Sequence, residues 1–165
     1  MLKIDREDFI EISNKMYRLA LSIVKDSQIS EDIVQDVWLK LLENDYRINN
    51  LQVYLMRATK NASINYVERD NFYKKKVDSN LINKLDNDLY DNNNILNNSI
   101  AKERYLEILN IVESLPETQK RVMTLRDIEG FEINDISNIL EISENAVSVN
   151  LSRARKYVRE KLLKK

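Results

Sequence analysis

The chain has 165 residues and nearly balanced charge, 26 Lys and Arg against 27 Asp and Glu, enough for one domain or two small ones. It contains no cysteine and no histidine, which excludes disulfides, thiolate or imidazole metal sites, and Cys- or His-based catalysis. A single glycine, Gly130, and a single proline, Pro116, give too little punctuation for hairpins or a glycine-rich phosphate loop, so the expected fold is all-α.

The N-terminus, MLKIDREDFIEI, lacks the apolar core of a signal peptide, and no run approaches a membrane span. A soluble, cytoplasmic chain without membrane insertion is expected. Residues 1–76 carry several amphipathic patterns. Ser30-Glu31-Asp32 reads as a helix start, a capping hydroxyl followed by acids in the first turn. Ile33, Val34, Val37, Trp38, Leu41 and Leu42 then form an apolar arc. The opposite face carries Asp32, Gln35, Asp36 and Glu43 around Leu39. A leucine ringed by carboxylates suits docking on a basic partner surface; the plainer alternative is an ordinary surface leucine.

A helix over about 51–73 follows, with Leu51, Leu55, Ala58, Ala62 and Tyr66 expected inward. Arg57, Lys60, Asn61, Asn65 and Arg69 offer donors elsewhere. Residues 57–76 hold six basic side chains against two acidic, with Tyr54, Tyr66 and Tyr73 interleaved along the helix. Cations and aromatics together suit single-stranded nucleic acid, which presents phosphates and base faces. The alternative is a solvated helix face with buried tyrosines. Residues 77–98, with four Asp, one Lys and many Asn, have the composition of a polar linker unable to bury a core.

Residues 99–165 read as a second small helical domain. Charge is segregated within it: residues 99–145 hold five basic and ten acidic side chains, residues 146–165 seven basic and one acidic. Ile136, Ile139 and Leu140 edge a short helix from about Glu132. Val147, Leu151, Ala154, Val158 and Leu162 line a longer one. Between them Glu141-Ile142-Ser143 is a minimal turn, with Ser143 suited to cap the second helix. Such a pair is a helix-turn-helix. Away from the apolar stripe lie Asn145, Ala146, Val149, Ser152, Arg153 and Lys156, flanked by Arg155 and Arg159. The first three are placed for base edges and the cations for phosphates. A basic amphipathic helix closing a bundle is the alternative.

These stretches together resemble one family. The chain is similar to bacterial RNA polymerase sigma factors of the extracytoplasmic-function group within the sigma-70 family, except over the linker. SEDIVQDVWLKLL resembles the polymerase-binding helix of region 2, and VYLMRATKNASINYVER its minus-10 reading helix. The run from LPETQKRVMTLRDIEG to LSRARKYVRE resembles region 4, which reads the minus-35 element.

The resemblance implies a subunit that binds core polymerase and directs promoter-specific initiation, acting by binding and needing no cofactor. It assigns Asp32, Gln35, Asp36 and Leu39 to the clamp coiled coil of the largest polymerase subunit. Minus-10 contacts fall on Arg57, Lys60, Asn61 and Asn65 and on a base-capturing loop at 44–50 with Tyr46, Asn49 and Asn50. Minus-35 contacts fall on Asn145, Ala146, Val149, Asn150, Ser152, Arg153, Arg155 and Lys156. The β-subunit flap and an anti-sigma factor are the further partners implied.

Some positions depart from the family pattern. Ala146-Val147-Ser148-Val149-Asn150 stands where Thr-Val-Lys-Ser-Arg is frequent, and Glu141 stands where the turn often has Gly. Asn65 and Glu68 replace a frequent Asp and Arg. Two other functions are weighed against this one. A free-standing helix-turn-helix regulator would need a sensing pocket or dimer seam in residues 1–76; a nuclease would need a carboxylate metal cluster, and none is recognisable.

Overall fold

The computed structural model describes residues 4–44, 47–76 and 99–164, and among these residues helices are the only extended regular elements. The expected linker, 77–98, lies outside the described residues, as does Tyr46. Two compact units form, divided between Leu89 and Tyr90.

In the first unit α1 (Arg6–Val24), α2 (Ser27–Glu43) and α3 (Leu51–Lys76) each pack on the other two. Each start is fixed by a side chain that accepts from a backbone N–H left without a partner in the first turn. Asp5 Oδ1 accepts from Asp8 N at 2.8 Å, Asp26 Oδ1 from Ile29 N at 2.9 Å, and Asn50 Oδ1 from Val53 N at 3.1 Å. The cap of α2 is therefore Asp26, not Ser30. Ser30 is buried one turn inside, its hydroxyl donating back to the Asp26 carbonyl at 2.6 Å. Lys25, left-handed at φ 59°, turns the chain from α1 into α2.

The core of this unit joins Met16, Leu19 and Ala20 to Val34, Val37, Trp38 and Leu41 and to Leu55 and Met56. Trp38 donates its indole N–H to Ser13 Oγ at 3.0 Å and packs on Phe9, ring centroids 4.7 Å apart. The inner face of α3 differs from the expected one. Thr59 and Ser63 are fully buried, their hydroxyls donating to the carbonyls of Leu55 and Thr59, both at 2.8 Å. Small hydroxyls satisfied on their own helix can enter a core. They rotate the buried stripe by roughly a quarter turn from the one that apolar residues alone suggest.

In the second unit α4 (Ser99–Glu113) and α5 (Glu117–Met123) precede a π-helical turn over Thr124–Ile128, then α6 (Ile133–Leu140) and α7 (Glu144–Leu163). Helix α7 is the hub, touching α4, α5 and α6. Its stripe of Val147, Leu151, Ala154 and Val158 is buried as the spacing predicts. Leu162 is not: it is 39% exposed in the last turn. At the junction of α4 and α5 Lys120 is buried, its ammonium 3.0 Å from Glu113 and 3.2 Å from Glu117.

Candidate functional site

The outer face of α2 is set by the opposite face. With Ile33, Val34, Val37, Trp38 and Leu41 buried, a period of about 100° per residue turns Asp32, Gln35, Asp36, Leu39 and Glu43 to solvent, and all five are exposed. Leu39 is 56% exposed. Leu42, expected in the inner arc, is 74% exposed, because its position lies more than a quarter turn from the centre of the buried stripe. The face thus carries two uncovered leucines among carboxylates, which makes an apolar centre with an acidic rim.

On α3 Asn61, Asn65 and Arg69 are exposed and Arg57 is partly so. Lys60 is a correction: it is 5% exposed, pointing to the core side, so its ammonium is not a surface donor. The preceding loop brings Asn49 and Asn50 beside Asp8, Glu11 and Ile12 of α1, around an open hollow of about 420 Å³. Asn50 spends its side-chain oxygen on capping α3, which leaves its amide N–H₂ for other work. Burial, with Asp70 and Asp26 nearby, raises the Tyr66 phenol above its ordinary range, so Tyr66 stays neutral at working pH.

The turn between α6 and α7 is built from its own polar atoms. Glu141 is left-handed at φ 58°, and Ile142 N donates to Ser137 O at 3.2 Å while Ser137 Oγ donates to Ile142 O at 2.6 Å. Ser143 Oγ accepts from Ala146 N at 3.1 Å, the cap its sequence position predicts. Asn134 of α6 donates to Glu144 of α7 at 2.9 Å and locks the two helices together. Beyond the turn Asn145, Val149, Ser152, Arg153 and Lys156 are exposed on the side of α7 away from the core. Outward side chains at the start and cations farther along are what a recognition helix presents to a major groove.

This helix-turn-helix lies inside residues 105–158, which match the sigma-70 region 4 family. Residues 10–72, which hold the α2 and α3 faces, match the sigma-70 region 2 family. The chain belongs to the sigma-70 family. Within it the chain falls in the extracytoplasmic-function group, as a sigma factor for promoter-specific transcription initiation. It is 26% identical over 149 residues to the ECF RNA polymerase sigma factor SigM of Bacillus subtilis, spanning 86% of this chain and 85% of the relative. The ECF sigma factor SigX of the same organism is 22% identical over 152 residues, 88% of this chain and 76% of its own. The fold is shared with the sigma factor RpoE of Bartonella quintana, crystallised with the anti-sigma factor NepR, at a TM-score of 0.71, 18% identity and 95% coverage of both chains. It is shared also with CnrH in complex with the cytosolic domain of CnrY, at a TM-score of 0.58 and 16% identity over 96% of this chain and 89% of that one.

Two expected DNA contacts of the sigma factor are already engaged. Arg155 lies only about 70° around α7 from the centre of its buried stripe. It donates through Nε to Asp127 Oδ2 at 3.1 Å and through a second guanidinium nitrogen to Asp127 Oδ1. The hydrogen bond to Asp127 raises the Arg155 pKa further, and the fork ties α7 to the π-helical turn. Asn150, half-buried on the other flank, donates back to Ala146 O at 2.8 Å. Lys156 stands 4.0 Å from Glu160 in an exposed pair, an interaction of little strength. Among the described residues no acidic cluster fit for a metal occurs, and no helix is long and apolar enough to cross a membrane.

Proposed function

We propose that the sigma factor docks on core RNA polymerase through the exposed face of α2, with Asp32, Gln35, Asp36 and Leu39 against the clamp coiled coil of the largest subunit. Leu42 extends that contact. Residues 1–76 act as region 2: Arg57, Asn61 and Asn65 on α3, with Asn49 and Asn50 before it, meet the minus-10 element. Residues 99–165 act as region 4. There Asn145, Ala146 and Val149 meet minus-35 base edges, Ser152, Arg153 and Lys156 hold phosphates, and the unit rests on the β-subunit flap. The protein works in the cytoplasm by binding, without catalysis or cofactor, and an anti-sigma factor holds it inactive. The structural neighbour RpoE, in complex with the anti-sigma factor NepR, supports that last point.

One observation carries the reading: a single chain couples an acidic face centred on exposed leucine to a capped helix-turn-helix with a basic outer face. A free regulator needs the second feature and has no use for the first. Asp36→Arg with Leu39→Ala is expected to leave the helical fold intact, since both side chains are exposed. It should weaken binding to core polymerase by about 2 kcal/mol or more, roughly thirtyfold. Unchanged affinity in the folded double variant would sink the docking assignment.

A further inference from the structure

Helix α7 is held by directional bonds on both flanks of its apolar stripe. At about 100° per residue, Glu144 and Arg155 fall within about 20° of one another on one flank, and Tyr157 lies on the other. Each meets a different element of the second unit. Glu144 accepts from Asn134 of α6 at 2.9 Å, Arg155 donates through its fork to Asp127, and the Tyr157 hydroxyl is 3.2 Å from Ser114 Oγ just past α4. Glu144 and Arg155 are about 16 Å apart along the axis at roughly 1.5 Å per residue.

Asp127 is aimed by its own turn. Glu129 N donates to Thr124 O at 3.0 Å, five residues back, which makes the turn π-helical, a rare form found mostly as single turns and frequently at functional sites. Phe131 N closes it on Leu125 O at 2.9 Å, with Gly130 left-handed at φ 78°. Arg126, the neighbour of Asp127, donates to Phe131 O at 2.8 Å and lies 2.9 Å from Glu132. Two consecutive residues thus tie the turn to the entry of α6 and to α7.

We propose that Asp127 is a positioning residue for promoter recognition: through Arg155 it fixes the roll of α7, and so decides how well Asn145 and Val149 align with minus-35 base edges. The inference rests on the minus-35 reading of α7 and concerns what holds the reader, not what it reads. The buried stripe gives α7 its attachment but little direction, because apolar burial is non-directional. At a helix radius of about 5–6 Å, a roll of about 10° moves a side-chain tip by about 1 Å. A hydrogen bond to a base edge does not keep its length and angle through such a shift. A two-pronged bond from a planar guanidinium resists that roll, which a single charge on a flexible stem does not. Arg155 in this role is a brace: its charge is paired with Asp127, and discrimination depends on the geometry of the fork.

The test uses holoenzyme reconstituted from core polymerase and the full chain. It compares a promoter recovered by selection with the wild-type protein and the same promoter with its minus-35 segment scrambled. The readout is the ratio of the two affinities, with the salt slope of each. Asp127→Ala and Arg155→Lys are each expected to lower the ratio about tenfold, the equivalent of roughly one good base contact. The loss falls on the selected promoter, while affinity for the scrambled one and both salt slopes stay at wild-type values. The double variant should lose no more than either single one, since each removes the same bond. Lys120→Met, which disturbs the same unit at the α4–α5 junction, should keep the wild-type ratio. A loss with Lys120→Met equal to that with Asp127→Ala would reduce the effect to stability and overturn the proposal. Asp127→Ala raising affinity on both promoters with a steeper salt slope would also overturn it, making Arg155 a phosphate ligand that Asp127 restrains. If the wild-type protein prefers the selected promoter and the Asp127 and Arg155 variants keep that preference, only the positioning inference fails. If the wild-type protein binds both promoters alike, the minus-35 reading of α7 fails and the inference falls with it.

Discussion

Asn145, Val149 and Lys156 share the outer face of α7, and on the proposed docking their distance from the helix start divides their work. Near the start, side chains reach base edges; three turns on, a cation meets the backbone. Asn145→Ala is expected to change which minus-35 sequences are used, at about 1–3 kcal/mol per lost good contact, and Val149→Ala less, since it offers only apolar contact. Lys156→Ala should weaken all promoters alike and reduce the salt slope by about one phosphate. A promoter-library selection with holoenzyme at two salt concentrations separates these outcomes. Arg155 should behave differently from Lys156. Arg155→Lys keeps the charge but loses the two-pronged hold on Asp127. Thermal melting should fall by the equivalent of about 0.5–1 kcal/mol, discounted because the pair is half-exposed, while the salt slope of promoter binding stays at the wild-type value. A reduced slope with unchanged melting would return Arg155 to the DNA contacts.

Among elements, the joints carry the strain and the buried charge. Glu141 holds φ 58° where glycine would sit without cost, so Glu141→Gly is expected to raise stability by up to about 1 kcal/mol in urea melts. Ser143→Ala should lower it by about 1 kcal/mol through loss of the α7 cap. At the α4–α5 junction burial pulls the Lys120 pKa down, but the hydrogen bonds its ammonium donates to Glu113 and Glu117 outweigh it and hold the net value above the ordinary one. A folded-state pKa raised in this way stabilises fully below the unfolded value, about 10.4, and the contribution is lost as pH rises through the folded value. Urea melts should therefore show a smaller alkaline loss above about pH 10 in Lys120→Met than in wild type. An identical alkaline decline in both would contradict the role given to that ion cluster.

The joints also mark what could be read without coordinates. The Ser143 cap and the stripe of α7 were legible because both are local: a hydroxyl before a periodic apolar run specifies its own helix. The α3 stripe was not, because Thr59 and Ser63 hide their hydroxyls on preceding carbonyls and count as polar in any pattern. That quarter turn puts Lys60 on the core side and Phe72 on the outer face. Ser30 looks like a cap in the sequence, but Asp26, one turn earlier, takes that role. Arg155 depends on Asp127, 28 residues away, across a π-helical turn that no apolar periodicity announces. The acidic face of α2 was visible throughout, since five exposed positions follow from five buried ones.

At the scale of the whole molecule, the two units are stable for separate reasons and meaningful only together. Met16 and Leu55 in the first and Ile136 and Val147 in the second are wholly buried, and truncating Met16, Leu55 or Ile136 to Ala should cost about 2–5 kcal/mol in its own unit. In the proposed reading each unit supplies what the other lacks: a face for polymerase and the minus-10 element in one, a groove-reading helix in the other. Specificity then belongs to the assembly with core polymerase. The most direct test is transcription of fragmented genomic DNA in vitro by core polymerase with and without the full chain, mapping RNA 5′ ends and, in parallel, binding by the chain alone. The account predicts a new set of start sites that appears only when both proteins are present, each preceded by shared minus-10 and minus-35 motifs, with no selective duplex binding by the chain alone. Selective binding of the same fragments by the chain alone, with no new start sites when polymerase is added, would contradict it.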